Sequence, residues 1–293
     1  MAVPFGQPEE SAIAHPDTDL ARAAPLPLRP RAAGEVRLSS KRTGGAVSTL
    51  DGLRQAGCFR ALFPDHDGPG LTAMLLNTAG GVTGGDRLRL TARAGARSRL
   101  SLTTQAAERI YAASSGETGR ITNSLSLDSG ARLDWLPQET ILFDQGVLRR
   151  ALTVDMEPDA TLLAVEPLIL GRPAHGELLR QVALRDQIRV SRGGELIQAD
   201  ALRLVGDATA ILSGPATGNG LGAFAALIYA APDADAFLDP LRALLPAPSA
   251  ASLIRDGLLL ARLAAPDAFT LRRILIPALT LLHGHALPRS WTL

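Results

Sequence analysis

Residues 87–95 read RLRLTARAG. On an extended chain Leu88, Leu90 and Ala92 fall on one side, with Arg87, Arg89, Thr91 and Arg93 on the other. A period of two with one dry and one wet side marks a strand that packs on a core through a single face. The same texture runs outward in both directions. From Glu35 onward, short β-favouring runs such as CFRALF, LTAMLLN, SRLSLTTQ, ARLDWLP and ATLLAVEPLIL are separated by PDHDGPG, SSGETG, DSG, DQG, EPDA and RGG. Turn signals at that spacing predict many short strands rather than a repeating strand–helix unit. The expected fold is therefore mainly β, a layered body with an exposed outer surface.

Near Asp235 the texture changes. DAFLDPLRALLP, SAASLIRDGLLLARLAA and PDAFTLRRILIPALTLLHG carry apolar residues at mixed three- and four-residue intervals, which predicts a smaller helical part. Pro266-Asp267 makes a helix start, and Pro277 is expected to kink or split the last segment. The expected organisation is a flexible Pro-rich segment over 1–33 and a single domain over 34–293. Within that domain the β body covers about 34–232 and the helical part about 233–293.

With 293 residues and 46% hydrophobic content, the chain can bury a sizeable core. Thirty basic and 29 acidic residues leave a net charge of +1, and the arginines are scattered through the sequence, so nucleic acid is not an expected partner. The N-terminal stretch has no apolar h-region, and no segment reaches ~18 apolar residues without a charge or breaker. A soluble, cytoplasmic protein is expected, with no membrane partner. Cys58 is the one cysteine, which excludes an internal disulfide and a thiolate metal cluster.

NTAGGVTGGD, Asn77 to Asp86, has the spacing of a phosphate loop in Gly80 and Gly85, but Asp86 and Arg87 follow where Lys and Ser/Thr are needed. A carboxylate there repels phosphate. The glycines Gly80, Gly81, Gly84 and Gly85, with Asp86, read instead as a tight connection between two strands, using positive φ or close backbone approach. Of the five histidines, His15, His66, His175, His283 and His285, His175 stands in GRPAHGE two residues before Glu177, on one side of an extended chain, with Glu166 upstream. An imidazole with carboxylates suits Ni²⁺ or Zn²⁺ at moderate affinity; a hydrogen-bonded surface histidine is the bland alternative. Glu139 and Asp144 are five apart, an odd separation that sends them to opposite faces of a regular strand, so they make no acid/base pair without a bulge. The chain has no Gly-x-Ser-x-Gly, His-Glu-x-x-His or Cys-x-x-Cys, and so no catalytic residue is identified.

LLNTAGGVTGGDRL, LTTQAAERIY, WLPQETILFDQG, VEPLILGRPAHGE and IQADALRLVG, in this order and at these intervals, resemble the urease accessory protein family UreD, also called UreH. The resemblance covers roughly residues 35 to 210, and LLHGHALPRSW fits the family's close. It implies stacked sheets winding in a helix-like manner, and a protein that performs no chemical step. It also implies work in complex with a helical UreF-type partner and a UreG-type GTPase, docked on the urease apoprotein. Nickel would then be transient cargo rather than a bound cofactor. Under that resemblance Glu108, Glu139, Asp144, Glu166, His175, Glu177 and Asp200 are candidates to line a nickel route, each of which could equally be satisfied by an arginine or a backbone amide. Two alternatives stand beside it. A β-helix-type carbohydrate-active enzyme would need Glu139, Asp144 and Glu166 to converge in an aromatic-lined groove, although aromatics make up only 4% of residues. A plain protein–protein adaptor would have no metal passage.

Overall fold

The structure is a computed structural model that describes residues 31–44, 47–64, 68, 70–113, 116–172 and 175–292. All but the last three residues of the Pro-rich segment 1–33 lie outside the described residues, as do His15 and His66. Arg31–Leu293 forms one compact unit.

Among the described residues two sheets carry the fold. The first holds β1 (Ala33–Arg42), β2 (Ser48–Gly57), β5 (Arg87–Ala94), β8 (Gly119–Leu127), β11 (Val147–Met156), β13 (Val182–Arg192) and β14 (Glu195–Gly206). The second holds β3 (Phe59–Leu62), β4 (Leu71–Asn77), β6 (Arg99–Thr104), β9 (Arg132–Leu136) and β12 (Thr161–Leu170). It continues through β15 (Ala223–Ala230), β17 (Leu258–Ala265) and β16 (Ala250–Arg255), with the short β7 (Glu108–Ile110) and β10 (Thr140–Leu142) attached to it.

From β4 to β13 the chain winds between the sheets. Strands β5, β8, β11 and β13 pair in parallel in the first sheet, while β4, β6, β9 and β12 pair in parallel in the second. Each circuit thus lays one strand on each layer, which is the helix-like winding that the resemblance implied. The stretch RLRLTARAG behaves as its alternation requires: in β5 every even position is buried and every odd one exposed.

Two apolar cores result. One fills the space between the sheets, and the other lies between the second sheet and α3 (Ala268–His283), which follows the short α1 (Ala208–Ser213) and α2 (Leu238–Leu244). β12 divides its side chains between them, Leu162, Ala164 and Leu168 entering the first core and Leu163, Val165 and Ile169 the second. That explains the continuous apolar run of ATLLAVEPLIL, since a strand covered on both faces has no wet side.

Two expectations for the C-terminal part are corrected. SAASLIRDGLLLARLAA is not helical. It forms the β16–β17 hairpin, turning at Gly257 with φ +66°. β17 is buried along most of its length, and an apolar run without alternation cannot be told from a buried helix by periodicity. Nor does Pro277 split the last segment: α3 runs through it. Pro277 is exposed, so the carbonyl it deprives of a partner faces water. The opposite stripe, Leu271, Ile274, Leu275, Ala278, Leu279 and Leu282, is held by the second core. Asp267 caps the start, accepting from Thr270 N at 2.7 Å, and Gly284 ends the helix at φ +75°. Among the described residues α3, at 16 residues, is the longest helix, and none is long and apolar enough to cross a membrane.

The residues after α3 strap back onto the second sheet. Trp291 is fully buried and donates its indole N–H to Leu136 O at 2.9 Å, while Thr103 and Ser290 share a hydroxyl bond of 2.9 Å. The buried Asp134 sits 3.5 Å from His283 Nε2 and 3.0 Å from Arg132 Nε. Burial works to lower the His283 pKa, but the hydrogen bond and charge of Asp134 outweigh it and hold the imidazole above its usual value. A raised folded-state value means the His283 contribution is complete below the ordinary imidazole range and is lost as pH rises through the raised one. The melting-temperature gap between the wild type and His283→Asn is therefore expected to narrow as pH rises above the ordinary imidazole range. Asp134→Ala, which strands the buried His283 and the half-buried Arg132, is expected to cost about 3 kcal/mol in a denaturant titration.

Candidate functional site

The glycine stretch turns between β4 and β5. Gly80, Gly81 and Gly85 have φ of +78°, +149° and +87°. At Gly81 close approach adds to the conformation, because a Cβ there would meet Tyr111 Cε2 at 2.3 Å and Arg109 O at 2.8 Å. Asp86 is buried and accepts from Ala32 N at 2.7 Å and Thr83 N at 2.8 Å. This carboxylate pins the turn to the start of β1 and faces backbone amides instead of a ligand.

Beside the turn a cavity of about 210 Å³ opens between the sheets. Its outer end is lined by Asn77, Gly80, Gln105 and Glu108, which are exposed or half-buried, and its inner end by the buried Asn123, Trp135, Thr140, Arg150 and Glu166. Glu108 stands on β7 and accepts from Asn77 Nδ2 at 3.1 Å. Burial pushes its carboxyl up to about 7, against hydrogen bonds from Asn77 and the Arg109 backbone that favour the charged form. Gln138 also lines the cavity. Its Oε1 accepts from Arg272 at 2.8 Å, while its buried Nε2 has no partner among the described residues.

At the inner end one guanidinium serves two carboxylates. Arg150 of β11 reaches Asp186 of β13 at 3.0 Å and 2.5 Å, Glu166 of β12 at 2.6 Å and Thr140 of β10 at 2.8 Å. The other Glu166 oxygen accepts from Trp135 Nε1 at 2.8 Å. Burial works against the Arg150 charge, but the two carboxylates outweigh it and hold the guanidinium protonated beyond its usual range. Burial raises Glu166, Arg150 pulls it down, and Asp186 pushes it up again, leaving it above the ordinary carboxylate value.

The sequence-predicted residues are distributed as follows. Glu166 lines the cavity. Glu139 turns to Arg272 at 3.2 Å, although its carbonyl accepts from Glu108 N at 2.9 Å. Asp144 and Glu177 do meet: Asp144 N donates to Glu177 Oε1 at 3.1 Å, and Asp144 Oδ1 accepts from Gln181 N at 2.9 Å. The hydrogen bond from Arg172 at 2.8 Å holds Glu177 below the usual carboxylate value. His175 is exposed in the adjoining turn. Asp200 pairs with Arg262, away from the cavity. Contacts link the Asp144 loop to the glycine turn, since Tyr111 packs against Gly81 on one side and stacks edge-on with Phe143 at 5.4 Å on the other. Among the described residues no three His, Cys, Asp or Glu side chains converge on one point that could hold a metal. Glu139, Asp144 and Glu166 have separate partners and do not form the groove that a glycosidase would need.

Arg150 and Asp186 were not singled out from the sequence, yet a signal was there. Asp186 shares the parity of Leu184 and Ile188, and of Arg149 and Arg150 one must face inward on a strand. A charge at an inward position requires a buried partner.

The sequence model described as "UreD urease accessory protein" matches residues 32–292, nearly all of the described chain. The chain belongs to this family. A relative from Ruegeria pomeroyi, named urease accessory protein UreD, is 51% identical over 249 residues, covering 85% of this chain and 97% of its own length. One of the same name from Roseobacter denitrificans is 45% identical, covering 92% of this chain and 98% of its own length. One from Azorhizobium caulinodans is 44% identical, covering 92% of this chain and all of its own length. The relatives are named as accessory proteins.

Two outcomes are expected of variants at the outer end. Gly80→Ala, with open space around the added methyl, should cost about 1 kcal/mol from φ alone, and Gly81→Ala about 3 kcal/mol by the same denaturant titration, because strain and a clash coincide. Glu108 is disfavoured as an anion in the fold, so folded-state stability should fall as pH rises from the ordinary carboxylate value to about 7. Glu108→Gln should flatten that slope in melting curves taken across the interval.

Proposed function

We propose that this UreD-family chain serves urease maturation as a non-enzymatic scaffold, with nickel as cargo in transit and no permanently bound cofactor. It works in the cytoplasm together with a helical UreF-type protein and a UreG-type GTPase, docked on the urease apoprotein. The observation that carries the reading is the family match across residues 32–292, supported by relatives covered almost end to end.

The cavity adds a chemical rationale. Glu108 stands at its outer end and Glu166 at its inner end. A route needs ligands that release the ion, and isolated carboxylates do so more readily than a closed thiolate or histidine set. A Glu108 carboxyl near 7 would exchange its proton for the cation, which couples transfer to pH. Asp144, His175 and Glu177, joined to the glycine turn through Phe143 and Tyr111, would offer contacts on approach. The pairing of Glu139, Glu166 and Glu177 with arginines favours a second reading, an adaptor whose carboxylates hold shape alone.

The nickel content and activity of urease made with its other accessory proteins, with and without this chain, tests the role. Urease is expected to be nickel-poor when the chain is missing, and full metallation without it would end the reading. Replacing Glu108 with Gln, which leaves the Arg150–Glu166 pair in place, is expected to leave complexes intact and to lower urease nickel by at least about half, an effect of order RT on transfer. Undiminished nickel with that variant would leave the adaptor standing.

A further inference from the structure

Strand register assembles something on the outer face of the first sheet that chain order disperses. It aligns Arg87 of β5 with Arg120 of β8, Arg120 with Arg149 of β11, Arg149 with Arg185 of β13, and Arg185 with Arg203 of β14. All five are exposed. Directly paired residues on neighbouring strands project from the same face, so the five guanidiniums form one row. At ~4.8 Å per strand the row is roughly 19 Å long.

Nothing described on the molecule neutralises it. Of the acidic residues on this sheet, Glu35 pairs with Arg37, Asp51 with Lys41, Asp186 with the buried Arg150, Glu195 with Arg255 and Asp200 with Arg262, while Asp155 stands six residues along β11 from Arg149, roughly 20 Å away. Among the described residues none of the five forms an ion pair. Like charges placed directly opposite across a strand pair are destabilising, and here four successive pairs carry them. The row of charge is thus a cost to the isolated fold that a negative partner would relieve.

The neighbouring row decides what kind of partner fits. Two residues further along the strands, register aligns Arg89, Thr122, Ala151, Gln187 and Ala201. From Thr122 to Ala201 this is a low shelf of short or neutral side chains beside the arginines. It holds no aromatic to stack a base, and a broad sheet face enters neither groove of a duplex. It holds no large apolar side chain to anchor in a lipid surface. An acidic helix suits it, because carboxylates at three- and four-residue intervals stand about 5–6 Å apart, close to the strand spacing. Each would meet a guanidinium suited to carboxylate pairing.

We propose that this arginine row is a docking surface for an acidic helix of a partner protein. The proposal is independent of the nickel route, since it uses the opposite face of the first sheet from the cavity. The test uses the full chain and a fluorescent helical peptide of roughly 20 residues with one stripe of Glu, long enough to hold a helix, beside a counterpart with Gln in the stripe. The Glu peptide is expected to bind, more weakly as salt rises from about 50 mM to about 200 mM, and the Gln peptide is not. Arg149→Gln with Arg185→Gln should weaken binding about tenfold, the sum of two favourable exposed pairs. Arg37→Gln with Arg93→Gln, which removes ion-paired arginines from the same sheet, should change it by less than about twofold. The row variant should melt no lower than wild type, since it removes like-charge contacts. Should it melt lower, Arg120→Gln alone replaces it and must weaken binding on its own. Equal binding of the Gln peptide, unchanged binding by the row variants, or tighter binding of a DNA duplex or anionic vesicles at the same salt would overturn the proposal.

Discussion

Arg150 lies buried between the two sheets and holds both together. Its guanidinium takes Asp186 from its own sheet and Glu166 and Thr140 from the other, and Trp135 completes the set through Glu166. A charge in that position is tolerable only with partners at hydrogen-bonding distance on several sides. Those partners come from β9, β10, β12 and β13, so the network exists only when the winding brings five strands into one register. Apolar burial supplies the bulk of the folding free energy, while this cluster specifies how the layers align.

The cavity follows from the same constraint. Side chains that satisfy one another through polar bonds do not interdigitate like leucines, and the space beside Arg150 and Glu166 stays open towards the glycine turn. The turn keeps the outer end open because its backbone passes close to Tyr111 and Arg109, where no larger residue fits. On the other side of the second sheet, α3 and the strap ending in Trp291 close the second core, with Asp134 and His283 joining the end of α3 to the sheet.

Much of this was legible beforehand. RLRLTARAG gave its burial pattern residue by residue, and the glycine turn was separable from a phosphate loop by the charge of Asp86 alone. What misled was apolar sequence without alternation. LLLARLAA, Leu258 to Ala265, sends Leu258 and Leu260 to the first core and Leu259, Ala261 and Leu263 to the second, and burial on two sides erases the period that distinguishes strand from helix. Pro277 misled for a different reason, since packing of one face kept α3 whole around a residue that breaks isolated helices. Of the candidate carboxylates, Glu166 was found without its partners, because Arg150 and Asp186 are distant in sequence and meet only across parallel register.

The sequence by itself determined the class of the fold, the dry face of each alternating strand, the local geometry of the glycine turn and membership of the UreD family. These depend on short-range pattern, which a chain carries whether or not it is folded. Tertiary structure alone decided which polar residues meet. It set Glu166 against Arg150, turned Glu139 away to Arg272, and lined up five arginines that are scattered from position 87 to position 203. The reason is physical: electrostatics acts through space over a few ångströms, and in a wound β structure those distances are set by register between strands that lie tens of residues apart.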